Sequence, residues 1–182
     1  MSIRASLTGN LVFSTLHTND SDGTVTRLID MGVESFLIAM TMIASIIQRL
    51  LRKVCSQCGT VYKPTPDSLQ ALRLSAEEIE QVSFRKGTWC EQYRQTGYKG
   101  RFSIAEILLF TQKIKEFTVE SARSTVIKQC AQFLGMRTLR DAGWLRVASG
   151  DITLDEVLRV LADTDMNFKY LHTLFFVIYQ RF

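Results

Sequence analysis

Two groups of residues in this chain carry side chains of types and spacings able to do chemistry. The first is the polar stretch Ser14-Thr15-Leu16-His17-Thr18-Asn19-Asp20, which follows directly on the apolar run Leu11-Val12-Phe13. A short run of that kind predicts a strand buried on both faces of a parallel sheet. In open α/β sheets, ligands bind just beyond the carboxyl ends of such strands. A histidine placed there can read a bound group through its two ring nitrogens; the plainer alternative is an ordinary hydrogen-bonded loop residue. The second group is Cys55-Ser56-Gln57-Cys58. Its intervening turn brings two thiols to one side, and zinc asks for four such ligands in a tetrahedron. Cys130, among Ile127, Ala131 and Phe133, reads instead as a small core residue of a helix.

The elements that must position these residues can be read in order. Asp20 to Asp22 offer capping oxygens, Val25, Leu28 and Ile29 share one helical face, and Gly32 stops that helix. The spacing predicts a longer helix from Ser35 to Lys53, apolar nearly all round in its first half, with Arg49, Arg52 and Lys53 complementing the dipole at its carboxyl end. A distinct insert follows from Cys55 to Arg101, holding three of the four cysteines and both prolines. Within it, Ser75-Ala76-Glu77-Glu78 has the spacing of a capping box. Phe102 to Phe110 reads as a strand. Short helices are then predicted around Ile114 to Val119, Val126 to Phe133 and Leu139 to Val147, and after the capping box Thr153-Leu154-Asp155-Glu156. The domain division expected is 1–54, 55–101, 102–165 and an apolar, aromatic tail over 166–182.

Bulk properties narrow the classes. A 46% hydrophobic and 22% charged composition is that of an ordinary globular protein. The net charge of +4 is scattered, without the dense basic stripe that nucleic acid asks for, so no nucleic-acid partner is expected. The first residues lack a signal peptide, and the longest apolar stretch, Phe36 to Ile47, falls short of the roughly 20 residues a membrane span needs. With no export signal, four cysteines point to reduced thiols and a cytoplasmic setting.

Arg4-Ala5-Ser6-Leu7-Thr8-Gly9, Phe13-Ser14-Thr15-Leu16-His17-Thr18-Asn19-Asp20 and Thr26-Arg27-Leu28-Ile29-Asp30-Met31-Gly32 resemble the histidine-box region of the type II secretion and type IV pilus assembly ATPases. The likeness continues through Gln48-Arg49-Leu50, Cys55-Ser56-Gln57-Cys58, Thr96-Gly97-Tyr98-Lys99-Gly100-Arg101 and Glu106-Ile107-Leu108, covering roughly residues 2 to 163. It implies an α/β fold: the carboxyl-terminal part of a RecA-like phosphate-loop ATPase core, a cysteine-knuckle insert and a carboxyl-terminal helical subdomain. It implies His17 facing the γ-phosphate of ATP with Mg²⁺, and Arg27 near the interface between nucleotide and subunit, against the alternative of a solvated helix arginine. It implies a homo-hexameric ring, peripheral to the inner membrane and contacting a platform protein there.

The chain departs from that pattern in several places. None of its ten glycines precedes a Lys-Ser or Lys-Thr pair, so the phosphate-binding loop is not within the sequence; the acidic Mg²⁺-binding strand is expected upstream of Met1. The family often completes its zinc set with a second Cys-x-x-Cys. Here Cys90-Glu91-Gln92-Tyr93 offers one cysteine and a tyrosine, leaving Cys55, Cys58 and Cys90 as a weakened set without its fourth ligand. Relatives often carry His where Asn10 stands. The tail after Asp165 lies outside the resemblance; it could pack on the helical subdomain, touch a membrane, or be read-through of a damaged frame, the last being preferred. Three readings of the whole follow: a motor segment inactive alone, a docking module for the platform protein, or a gene remnant. Loss of central strands exposes sheet edges, and marginal stability is expected.

Overall fold

In a computed structural model of the protein, residues 2–18, 21–72, 75–88, 96–165 and 175–179 are described. In chain order the elements begin with α1 (Ser2–Leu7), β1 (Val12–Ser14), α2 (Gly23–Asp30), α3 (Ser35–Thr41) and β2 (Met42–Val54). There follow β3 (Gly59–Val61), α4 (Pro66–Leu72), α5 (Ala76–Glu80), β4 (Arg85–Gly87) and β5 (Tyr98–Leu109). The chain closes with α6 (Gln112–Val119), α7 (Ser124–Phe133), α8 (Leu139–Ala148), α9 (Leu154–Asp165) and β6 (Phe175–Tyr179). These fall into two compact units. One comprises Met1–Gln48, Ala105–Thr138 and Lys169–Phe182; the other comprises Arg49–Ile104 and Leu139–Phe168. The strand and helices expected within 102–165 are therefore shared out, with α6 and α7 in the first unit and α8 and α9 in the second.

The first unit is organised around a sheet of order β1-β6-β2-β5. Its core gathers Ile3, Val25, Leu28, Ile38, Met42, Leu108, Phe110, Ile114 and Ile127. The helix expected from Ser35 to Lys53 ends at Thr41, and a 13-residue strand takes over. The reason lies in the period. Ser45, Ile47, Arg49 and Leu51 are buried, while Leu50 between them is half exposed, the two-residue alternation of a strand. Apolarity all round suited a strand covered on both faces as well as a core helix, and Ile43, Ile46 and Ile47 favour the strand through their branched Cβ atoms. Arg49, Arg52 and Lys53 thus lie along β2 and complement no helix dipole.

β1 also differs from expectation. It stands at the edge of the sheet, antiparallel to β6, and its flanking Leu11 and its own Phe13 are 53% and 59% exposed. The tail contributes β6, a strand that none of the three readings of 166–182 foresaw. α2 forms where the sequence predicts: Val25 and Leu28 are buried, and Gly32 at φ +83° closes the helix with its N–H on the Ile29 carbonyl. The expected cap is not made, since the N-cap residue Asp22 forms no side-chain capping bond and Asp20 lies outside the described residues.

In the second unit β3 pairs with β4, Gly59 opposite Gly87 and Val61 opposite Arg85. Phe84 is buried with its ring 6.4 Å from that of Tyr62 and 6.0 Å from that of Trp144. Buried Leu139 and Val147 of α8 and Val157 and Val160 of α9 supply apolar surface, and α8 packs on α9.

Candidate functional site

His17 lies on the irregular segment 15–18 that leaves the carboxyl end of β1, and its side chain is exposed. Where the description resumes, at Ser21, the chain is tied down by buried polar contacts. The Ser21 N–H and Oγ both donate to Glu106 Oε1, at 3.3 and 2.5 Å. Asp22 Oδ1 pairs with Lys128 Nζ at 3.3 Å, and the Thr24 and Ser45 hydroxyls meet at 2.7 Å. Ser21, Asp22, Thr24, Ser45 and Glu106 are all buried. A buried carboxylate must find donors, and a hydroxyl bonded to an ionised oxygen makes one of the stronger hydrogen bonds available. Glu106 on β5 therefore anchors the amino end of α2 from across the unit.

Arg27, on α2, is also exposed, and no hydrogen bond links it to His17. The structure brings both candidate sensing residues to the surface of one unit without joining them. An exposed imidazole and an exposed guanidinium do not of themselves fit a triphosphate with Mg²⁺, which needs a cradle of backbone N–H groups and a metal ligand set. No step through ATP is derived for this chain alone.

Sequence reasoning passed over Glu106 and Ser21 as site elements, although the signal was present. Ile104, Glu106 and Leu108 share one face of β5 and are all buried, with Phe110 continuing the row just past the strand's end, so a carboxylate stands in an apolar row. A residue so placed, between Ile104 and Leu108, demands a partner.

The cysteine knuckle lies in the second unit, after a strand rather than a helix. Cys55 is fully buried and Cys58 half buried. The turn is held from two sides: the Cys55 N–H donates to the Gly97 carbonyl at 3.0 Å, and both N and Oγ1 of Thr88 donate to the Cys58 carbonyl at 2.9 Å. Gly97 adopts φ +74°, and its backbone runs so close to Gly87 that a Cβ on it would stand 2.6 Å from the Gly87 oxygen. Cys90 and Tyr93 lie outside the described residues, and among the described residues no group of three or more metal-ligating side chains gathers. Of the three candidate cysteines of this insert, Cys55 and Cys58 are the two described. Cys130 packs against the core of the first unit, as its helical setting predicts.

Also in the second unit, Glu156 is fully buried and forms a hub. Its carboxylate accepts from the Arg52 N–H at 3.0 Å, Arg52 Nη2 at 2.7 Å, Arg159 Nε at 3.0 Å and Arg159 Nη2 at 2.8 Å. Burial pushes its pKa up, but the bonds from Arg159 and Arg52 outweigh burial and hold it at about 2. The Glu156 N–H caps α9 through Thr153 Oγ1 at 3.1 Å, so half of the expected capping box forms. The Arg52 guanidinium also lies 4.2 Å from the centroid of the Tyr98 ring. With its lone pairs committed, this carboxylate holds structure and has no capacity left for a substrate. No described helix is long and apolar enough to cross a membrane.

Residues 1–159 match the family described as Type II/IV secretion system protein. The chain is 45% identical over 154 residues to the type IV pilus assembly ATPase PilB of Thermus thermophilus, an alignment covering 85% of this chain and 17% of that protein. It is 36% identical over 163 residues to the type II secretion system protein HxcR of Pseudomonas aeruginosa, covering 90% and 31% of the two chains. It is 38% identical over 161 residues to the type IV pilus assembly ATPase TfpB of Acinetobacter baylyi, covering 88% and 28%. The chain thus spans less than a third of the length of each of these relatives. With residues 1–159 matched and a mixed α/β structure, the chain belongs to the Type II/IV secretion system protein family.

Proposed function

We propose that this chain is the histidine-box portion of a hexameric ATPase that powers type II secretion or type IV pilus assembly at the cytoplasmic face of the inner membrane. On this reading its α/β unit is part of a RecA-like core, and His17 and Arg27 sense nucleotide held on a phosphate loop that this sequence does not contain. The observation that carries the reading is the presentation of His17: exposed, just past the carboxyl end of β1, on a segment whose far end is pinned by Ser21 and Glu106. That placement leaves the imidazole accessible to a nucleotide held by another part of the machine. Because most of the binding energy for a triphosphate comes from the loop, its lysine and the metal, the chain alone does not turn over ATP.

The test is a mixing experiment. ATP hydrolysis by the purified chain is expected at buffer background. Added in equal amount to a family member that carries the phosphate loop but whose own histidine box has been inactivated, it is expected to raise the rate severalfold, and His17→Ala is expected to abolish the rise. A mixture no faster than the recipient alone would sink the proposal.

The knuckle supports a metal role. Thr88 bonds to Cys58 and Gly97 to Cys55, and Cys90 stands two residues beyond Thr88 in sequence. On this reading Cys55, Cys58 and Cys90 hold Zn²⁺ with three thiolates, more weakly than a four-cysteine site does. Zinc retained after dialysis and lost in Cys90→Ser would support it.

A second reading, docking to the inner-membrane platform protein, is favoured by one feature. A groove along α3 and α6 presents Phe36, Met40 and Val119 with about half of their surface in solvent. Nucleotide-independent capture of the platform protein, lost on Met40→Glu, would favour docking over sensing.

A further inference from the structure

The tail strand occupies an unusual place. β1 is three residues long, and among the described residues its only ladder partner is β6, with Val12 opposite Tyr179, Phe13 opposite Ile178 and Ser14 opposite Val177. On its other side β6 pairs with β2, from Met42 opposite Tyr179 to Ile47 opposite Phe175. Val177 thus stands between Ser14 and Ser45. Since β6 is antiparallel to both neighbours, β1 and β2 run the same way with one strand's width between them. Their separation is then about 9.6 Å, two ladder spacings. Without β6, β1 has no ladder, and β2 presents an open edge over Met42 to Ile47.

We infer that β1 and β2 form a strand-accepting slot, selective for an extended, uncharged apolar segment entering antiparallel to both. In this chain its own Phe175-Phe176-Val177-Ile178-Tyr179 fills the slot, and the same segment of a second copy can replace it. Three observations favour that occupant. The five residues are all β-branched or aromatic and carry no charge, the composition a pleated interior position asks for. The slot presents backbone on both sides, so an entering strand satisfies two ladders at once. Nine residues, 166–174, separate the strand from α9, enough for about 30 Å of extended chain, and exchange of an identical element between copies sacrifices no contact. The consequence reaches the candidate site: β1 leads directly into the segment bearing His17, so filling the slot registers that segment whatever His17 senses. The inference does not depend on the nucleotide reading.

The test uses the full chain and the synthetic peptide Lys169–Phe182. Val177→Pro removes a ladder N–H at the centre of β6. Amides of Val12 to Ser14 and Met42 to Ile47 are expected to exchange at least tenfold faster in that variant, with α8 and α9 unchanged. Added peptide is expected to restore the protection and to bind the variant at least tenfold more tightly than the wild-type chain, whose slot is filled. Unchanged exchange at β1, or equal binding to both chains, would overturn the inference. A second variant keeps it testable if the proline chain does not fold. With cysteines at Ser14 and Val177, oxidation is expected to join those two positions within one chain when dilute and between chains when concentrated. Cross-links found by peptide mass mapping only elsewhere would also overturn it.

Discussion

Each unit buries a glutamate, and the donors that meet the two differ: a serine in the first unit and two arginines in the second. In the first, Glu106 accepts from the neutral hydroxyl and amide of Ser21, and Thr24 and Ser45 satisfy each other close by. In the second, Glu156 is clamped by the guanidinium groups of Arg52 and Arg159. Both solve the problem of a charge removed from water, but with different sensitivities. A neutral donor gives a directed bond that fixes where a chain segment starts. Paired charges give a stronger hub whose strength depends on protonation and whose loss leaves uncompensated ions. The hydroxyl-based anchor lies beside the candidate sensing loop, and the ionic hub lies in the unit that carries the knuckle. The first unit adds an ion pair of its own, Asp22 with Lys128, next to the Ser21 anchor, so the contrast is between these two glutamates and not between the units as wholes.

Substitutions that remove one solution and leave the other should separate them. The largest effect is expected from Glu156→Ala, which strands two guanidinium groups. Amides of α8 and α9 should lose about 1.5–3 kcal/mol of protection in hydrogen exchange, since both guanidinium groups are half exposed and regain water, while those of α2 and α7 keep theirs. Equal losses in both sets would show that the hub does not belong to one unit. Acid should act in the same place. The Glu156 pKa is lowered from an ordinary 4.5 to about 2, so the stability it provides is complete above pH 4.5 and drains away as pH falls towards 2. An acid titration followed by exchange at α9 should show that window, and Glu156→Gln should remove it.

Ser21→Ala comes next, at about 1–2 kcal/mol. It should be felt at α2 and in the mobility of the segment before it, and addition of the chain to a loop-bearing partner should then stimulate less. Tyr62 gives a smaller signal in the second unit. Burial and the charge of Asp155 raise its phenol from 10.0 to about 12, so native stability should begin to fall above pH 10, as ionisation favours the unfolded chain. Ultraviolet titration of the folded protein should show a late-ionising component that Tyr62→Phe removes. The smallest effect is expected from His17→Ala: the side chain is exposed, and midpoints in urea should move by no more than about 0.5 kcal/mol. A large shift would make His17 a structural residue.

What could be read beforehand follows the range of the forces involved. Helices α2, α6, α7, α8 and α9 were legible because their apolar spacing and caps are local, and Thr153 duly caps α9. The strand at Phe102 to Phe110 was legible too, and begins four residues earlier, at Tyr98. The segment after Thr41 was not. Its residues are apolar at every period, and only sheet neighbours decide that they extend. Leu11 to Phe13 was placed correctly in sequence but assigned an interior position, whereas its partner is a tail strand about 165 residues away. Glu156 was read only for its capping role, because Arg52, 104 residues away, could not be inferred from its neighbours. His17 and Arg27 could be named from sequence, and the exposure found for Arg27 is that of the solvated helix arginine weighed there; the exposure of His17 could not be read. Cys90 and Tyr93 stand outside the described residues, so the metal set rests on Cys55 and Cys58 in structure and on Cys90 in sequence.

The close approach of Gly87 and Gly97 has a practical corollary for anyone re-engineering this protein. The two backbones press together where Cys55 and Thr88 tie the knuckle, and they bracket residues 88–96 as the two jaws of a clip bracket its contents. A single methyl group on either jaw cannot be accommodated without displacing backbone. Both glycines must therefore be left alone in any variant made to probe the knuckle, or a displaced backbone will be mistaken for the effect of a lost side chain.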